Sequence, residues 1–180
     1  MLTKECIETR RSIRKFTDQK VDRETVEELV RLAGQSPSWK NTQVVRYYAV
    51  TDEALKNAIA EECTLGYEGN TRIIKGAPVL MVLTYKHGIS GYEKSGEPST
   101  SKGDHWEVFD AGIATQTFCL AARDLGLGTV IMGIFDESKV KAVLQPGEDE
   151  TVAALVALGY PEGEPSARPR KEVAEILSWR

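Results

Sequence analysis

The run Ala77-Pro78-Val79-Leu80-Met81-Val82-Leu83-Thr84-Tyr85 constrains this chain more than any other stretch. It is almost continuously apolar and rich in branched residues, the pattern of a strand buried on both faces. Pro78 cannot donate to a ladder, so it marks a strand entrance or a sheet edge. No apolar stretch is long enough to span a bilayer. With 180 residues, 41% of them apolar and 28% charged, the chain suits one compact soluble domain, residues 1–180.

The rest of the chain supplies helices and further strands. A short amphipathic helix runs from Thr3 with Cys6 and Ile7 on one side. Asp22 is a good N-cap for a helix with Val26, Leu29, Val30 and Ala33 at helical spacing, and Gly34 stops it. A strand is expected over 44–50, and Asp52 then caps a helix through Leu55, Ala58 and Ile59. Residues 66–70 read as irregular. The longest helix spans 104–125; Trp106, Phe109, Ile113, Phe118 and Leu120 cover more than one stripe, so it is buried on most sides or packed at a subunit interface. Asp110, within it, reads as a carboxylate on a partly exposed edge. Gly126-Leu127-Gly128 closes the helix, a strand follows over 129–132, Asp136 opens a short helix, and 151–158 is a further strand. Residues 86–103, rich in Gly, Ser, Lys and Glu, read as a mobile loop near a substrate pocket. Residues 162–180 form a C-terminal extension.

Charge narrows the partners. The net charge of -4 and pI near 5.4 offer nothing to a nucleic acid or an anionic membrane. Against that acidity, Arg10-Arg11-Ser12-Ile13-Arg14 concentrates three guanidinium groups and a hydroxyl, which reads as an anion seat or as a solvated basic turn. A second basic group, Arg168-Pro169-Arg170, lies at the other end, on a segment stiffened by proline. The two clusters converge on one dianionic phosphate or are unrelated surface patches. Ser36-Pro37-Ser38 with Asn41 and Gln43 is a polar turn whose amides can read the edge of a heteroaromatic ring, although turn chemistry explains the same residues. Gly133, just past a strand, lets a backbone N–H approach a flat ligand.

Better-known motifs are missing. No Gly-x-Gly-x-x-Gly follows a strand, there is no Walker loop, and His87 and His105 have no metal-binding or triad-like context. Cys6, Cys63 and Cys119 read as reduced, mostly buried thiols, and the N-terminus lacks the apolar run of a signal peptide, so a cytoplasmic location is expected. Anion seats and amides without a strong acid, base, nucleophile or metal site point to chemistry carried by a bound organic cofactor.

Taken together, the Arg10–Arg14 cluster, Ser36-Pro37-Ser38 with Asn41-x-Gln43 before a strand, Gly126-Leu127-Gly128-Thr129, Gly133 and Gly159-Tyr160-Pro161 resemble, in order and spacing, the nitroreductase family of FMN-dependent oxidoreductases. The resemblance covers essentially the whole chain. It implies an α+β fold with a mainly antiparallel central sheet flanked by helices, in an intertwined homodimer with FMN at the subunit interface. It further implies that Arg10, Arg11, Ser12 and Arg14 hold the FMN phosphate and pyrimidine edge, with Arg14 tuning the ring. Arg168 or Arg170 would complete the phosphate site. Ser36, Pro37, Ser38 and Asn41 would reach the flavin from the partner subunit, and Ile131, Met132 and Gly133 would present backbone to the ring. The implied activity is transfer of reducing equivalents from NAD(P)H to nitroaromatics, quinones or related small acceptors by a ping-pong scheme, with no catalytic side chain and no metal. Alternatives are an FMN-binding protein for storage, sensing or interaction, or a reductive dehalogenase or flavin-modifying enzyme on the same fold. Gln43-Val44-Val45-Arg46 departs from the proline and aromatic that many members carry there.

Overall fold

The computed structural model describes residues 2–180. The apolar run becomes strand β2 (Val79–Lys86), paired on one side with β1 (Val45–Val50) and on the other with β4 (Glu150–Gly159), while β3 (Gly128–Met132) closes the order β1-β2-β4-β3. Every pairing is antiparallel, with Met81 opposite Val156 and Gly128 opposite Gly159. The fold class is therefore α+β with an antiparallel sheet. No helix among the described residues is long and apolar enough to cross a membrane.

The period of two along a strand sorts β2 and β4 between two cores. Leu80, Val82, Leu155 and Ala157 face one cluster, built on α3 (Glu53–Glu62), α4 (Glu68–Gly76) and α6 (Glu137–Leu144) through Ile59, Ile74 and Val140. Val79, Met81, Leu83, Val156 and Leu158 face the other, built on α2 (Arg23–Ala33) and α5 (His105–Asp124) through Leu29, Phe118 and Ala122. Each fully buried aliphatic side chain contributes roughly 1.5–3 kcal/mol relative to exposure. Both faces of the sheet are thus occupied, as the unbroken apolar run requires.

Three helices start on aspartates whose side chains accept from backbone N–H groups left free by the first turn: Asp22 from Thr25 at 2.6 Å, Asp52 from Leu55 at 2.8 Å and Asp136 from Lys139 at 3.2 Å. Gly126 takes φ +77°, the left-handed turn expected after the long helix. Residues 66–70 are not irregular as expected, because α4 begins at Glu68 and includes Gly69 and Asn70. Its N-cap, Tyr67, makes no side-chain cap, so the usual start signal is missing. The remaining α-helices are α1 (Thr3–Thr9) at the start and the single-turn α7 (Val173–Ile176) in the tail, and Trp39–Asn41 forms one 3-10 turn.

Candidate functional site

Two glycines let the N-terminal arginine segment dock on the sheet. A Cβ at Gly128 would come within 2.5 Å of Ile13 Cγ1, and one at Gly159 within 2.9 Å of Phe16 Cδ1 as well as against the Pro78 ring. With both absent, Ser12 bridges Thr129 in parallel and Ile13 donates its N–H to the Thr129 carbonyl at 2.9 Å. The chain then crosses the end of the sheet, where Phe16 bridges Pro161 and Glu162 N–H donates to the Lys15 carbonyl at 3.1 Å. Arg10, Ser12 and Arg14 are thereby held at the start of β3.

Among the described residues, no carboxylate lies within ion-pair distance of Arg10, Arg11 or Arg14. Arg11 is engaged locally: its Nη1 donates to the carbonyls of Glu8 at 2.6 Å and Arg10 at 2.9 Å, satisfying the end of α1. Arg10 lines a small pocket with Cys119, Arg123 and Glu164; burial raises the Cys119 thiol above its ordinary value, and the Arg10 charge partly opposes that. Beside it, Ser12, Arg14 and Lys15 face residues Glu162 to Pro165 across a cleft of about 330 Å³. Glu164 is held by Arg123, which also donates to Thr9. Arg168 and Arg170 lie beyond Pro165 in the exposed tail, and neither lines this cleft.

At the other end of β3, Val130 and Met132 point into the core and Ile131 points to the opposite face, where it is 48% exposed. A Cβ at Gly133 would meet nothing within 4 Å. Nothing inside this chain demands glycine there; the space is open to a ligand. Asn70, missed in the sequence because its helix was missed, is buried and donates to the Ile134 carbonyl at 3.0 Å, fixing the turn after Gly133. An uncompensated cationic segment at one end of an edge strand and an open, apolar, backbone-lined patch at the other suit an elongated ligand with an anionic group and a flat ring. FMN has that form, so the residues fit it.

Ser36, Pro37, Ser38 and Gln43 lie elsewhere, along a cleft of about 340 Å³ between α2, β1 and α5. Ser36 Oγ donates to Thr117 Oγ1 at 2.8 Å, and Ser38 Oγ accepts from Gln43 N–H at 3.0 Å. Thr117 and Cys119 are separated by about 200° around α5. The helix therefore stands between the serine loop and Arg10, and one chain does not bring its two predicted groups to one ligand. Lys40, Asn41 and Gln43 all have positive φ, from 44° to 57°. Non-glycine residues adopt this region rarely and at a cost, so the loop is a strained element.

The expected environment of Asp110 is corrected: it is 3% exposed and accepts from Trp39 N–H and Ser90 Oγ, partners 71 and 20 residues away. One turn earlier, Glu107 is fully buried and accepts from Gly88 N–H at 2.6 Å and Ile89 N–H at 3.2 Å, with His87 Nδ1 at 3.0 Å. These two carboxylates fasten the first residues of the 87–103 segment to α5. On the outer side of α5, Val108 and Phe109 are 55% and 59% exposed.

An antiparallel α+β sheet with helices on both faces, an arginine segment on its edge strand with no carboxylate partner among the described residues, and a strained polar loop across the long helix suit a protein that holds an organic cofactor with an anionic group. The chain belongs to the nitroreductase family, whose model matches residues 7–160. It is 31% identical over 167 residues to a protein of Archaeoglobus fulgidus provisionally named NADH dehydrogenase/NAD(P)H nitroreductase, covering 89% of this chain and 87% of that one. Its fold matches a nitroreductase family protein from Clostridium novyi NT with a TM-score of 0.77 at 29% identity, over 90% and 86% of the two chains. A provisionally named nitroreductase from Desulfovibrio desulfuricans, solved in complex with FMN, shares the fold with a TM-score of 0.80 at 24% identity, over 100% and 97% of the chains.

Proposed function

We propose that this protein is an FMN-dependent oxidoreductase that takes reducing equivalents from NAD(P)H and passes them to a small organic acceptor such as a nitroaromatic or a quinone. The observation that carries the reading is the uncompensated Arg10–Arg14 segment docked on the edge strand whose far end, at Gly133, is open. Arg10 and Ser12 bind the phosphate, with Arg168 or Arg170 brought to it from an extended tail. Arg14, the last arginine of the segment, is assigned to the pyrimidine edge of the ring, which its long side chain would have to reach from the start of β3; a fixed positive charge there favours an electron-rich cofactor. The backbone at Ile131, Met132 and Gly133 supports the ring. A bound flavin supplies the two-electron chemistry that no side chain here provides.

The position of the serine loop supports a two-chain site. Because α5 separates Ser36, Pro37, Ser38 and Asn41 from the arginines, the loop serves the cofactor of a second copy, and the exposed Val108–Phe109 edge is the surface that copy covers. Residues of the loop then close the ring pocket and keep water from it. Donor and acceptor occupy the same open face in turn, which is the basis of a ping-pong scheme.

The test is direct. Purified protein titrated with FMN binds it with quenching of flavin fluorescence, and anaerobic NADH or NADPH bleaches the bound flavin. Adding a quinone or nitroaromatic restores the colour. Reduction by neither nucleotide would leave a flavin carrier, not a reductase.

A further inference from the structure

We propose that Asp110 is a positioning residue for the flavin site, a joint through which the 87–103 segment sets the shape of the strained Ser36–Asn41 loop. The flavin half of this inference rests on the proposed function; the joint itself rests on geometry alone.

Three non-glycine residues in left-handed backbone within four positions persist only where their surroundings hold them. The N–H at the entrance to that run belongs to Trp39, and both carboxylate oxygens of Asp110 receive it, at 3.0 and 3.2 Å. One of the same oxygens accepts from Ser90 Oγ at 2.6 Å, and Ser90 is fully buried. A single buried carboxylate thus fastens two segments that are far apart in sequence. Two outer contacts run in parallel with it: Lys40 pairs with Glu93 at 3.0 Å, and the rings of Trp39 and Trp106 lie 4.7 Å apart. Gly91 is drawn so close that an added Cβ would come within 2.4 Å of the Gly103 carbonyl and 2.9 Å of Trp106. The segment expected to face the substrate and the loop expected to touch a flavin are therefore one joined unit. An acceptor that shifts residues 87–103 shifts the loop through Ser90 and Asp110.

Asp110→Ala removes both bonds. Asp110→Asn keeps them, because its amide oxygen still accepts from Trp39 and its NH2 can donate to the Ser90 hydroxyl. Ser90→Ala cuts only the tie to the 87–103 segment. Hydrogen exchange of the 36–43 peptide is measured on the full chain without FMN, FMN affinity by fluorescence quenching, and KM and kcat with NADH and a quinone. Asp110→Ala is expected to speed exchange and to weaken FMN binding by about tenfold or more, the order expected for lost bonds to a buried carboxylate. Asp110→Asn should restore both to near the parent. Ser90→Ala should raise exchange in 87–103 and the acceptor KM several-fold, with kcat changed less. Parental exchange and affinity in Asp110→Ala, or an Asp110→Asn variant as damaged as the alanine, would overturn the assignment. If Asp110→Ala does not fold, Ser90→Ala decides: parental exchange and KM in it would overturn the joint. A parent chain that binds no FMN would instead refute the flavin reading, while the exchange result still decides whether Asp110 holds the loop.

Discussion

At Tyr47 the hydroxyl is buried with no hydrogen-bond partner among the described residues, and burial pushes the phenol up to about 12. A lone buried hydroxyl is a liability, so Tyr47→Phe is expected to leave stability unchanged or raise it by about 1 kcal/mol in urea unfolding. Gly128 works in the opposite sense. Its missing Cβ is what seats Ile13 on β3, so Gly128→Ala forces a backbone or side-chain shift that costs roughly 1–3 kcal/mol and also displaces the arginines next to Ile13. Loss of stability without loss of FMN affinity in that variant would mean that the seat and the site are independent. Between the arginines, Arg10→Ala should lower FMN affinity at least tenfold, about 1.5–3 kcal/mol for a charge-assisted bond. Arg14→Ala should shift the flavin potential more than the affinity, measured by anaerobic dye equilibration; the reverse pattern would exchange the two roles.

The aspartate caps tie the helices to pH. Asp22 at the start of α2 and Asp136 at the start of α6 have carboxyls held below the ordinary value of 3.8, Asp22 chiefly by its bond with Thr25 and Asp136 by its bond with Ser138. A depressed folded value means that the unfolded chain takes up protons first as the pH falls. Their stabilisation is full above the ordinary carboxylate range and is lost as the pH drops through the lower folded values. Thermal midpoints should hold steady from pH 7 to about 5 and fall below about 4, with a smaller fall in Asp22→Asn. These caps were legible because a cap is local: the aspartate and the N–H it receives lie three residues apart. The same holds for β2, whose composition alone demanded two covered faces. The start of α4 was not legible, since Gly69 and Asn70 are weak helix formers and Tyr67 offers no cap; its register is fixed by Ile74 in the core and by the bond from Asn70 to Ile134. Asp110 was misjudged for a related reason. Its own helix says nothing about Trp39 and Ser90, which only the tertiary fold delivers. The arginine segment was visible as charge, but its docking through Gly128 depends on a steric gap that no spacing rule encodes.

For the whole molecule, the decisive fact is that α5 divides the two groups of residues predicted to form the site. On the proposed reading, one chain carries both halves of a site and completes neither alone. A substitution on the exposed edge of α5, Phe109→Glu, should therefore convert a dimer into monomers in sedimentation and abolish FMN binding together, although Phe109 touches none of the arginines. Monomers that still bind FMN tightly would break that link. The tail fits the same view, since Val173, Ile176, Leu177 and Trp179 are 47–85% exposed in a single chain, and one edge of β1 has no strand partner among the described residues. Wrapped on a second copy, that tail could bring Arg168 or Arg170 to a phosphate. Finally, the placement of Cys6, Cys63 and Cys119 bears on chemical durability. All three are buried, and burial is the largest cause holding each thiol above its ordinary value. Quinones alkylate thiolates, so the acceptors of the proposed reaction would threaten any accessible cysteine. Here the soft nucleophiles are kept protonated and out of reach, so the mass of the native protein should be unchanged after incubation with excess quinone, and an adduct should form only once the chain is unfolded.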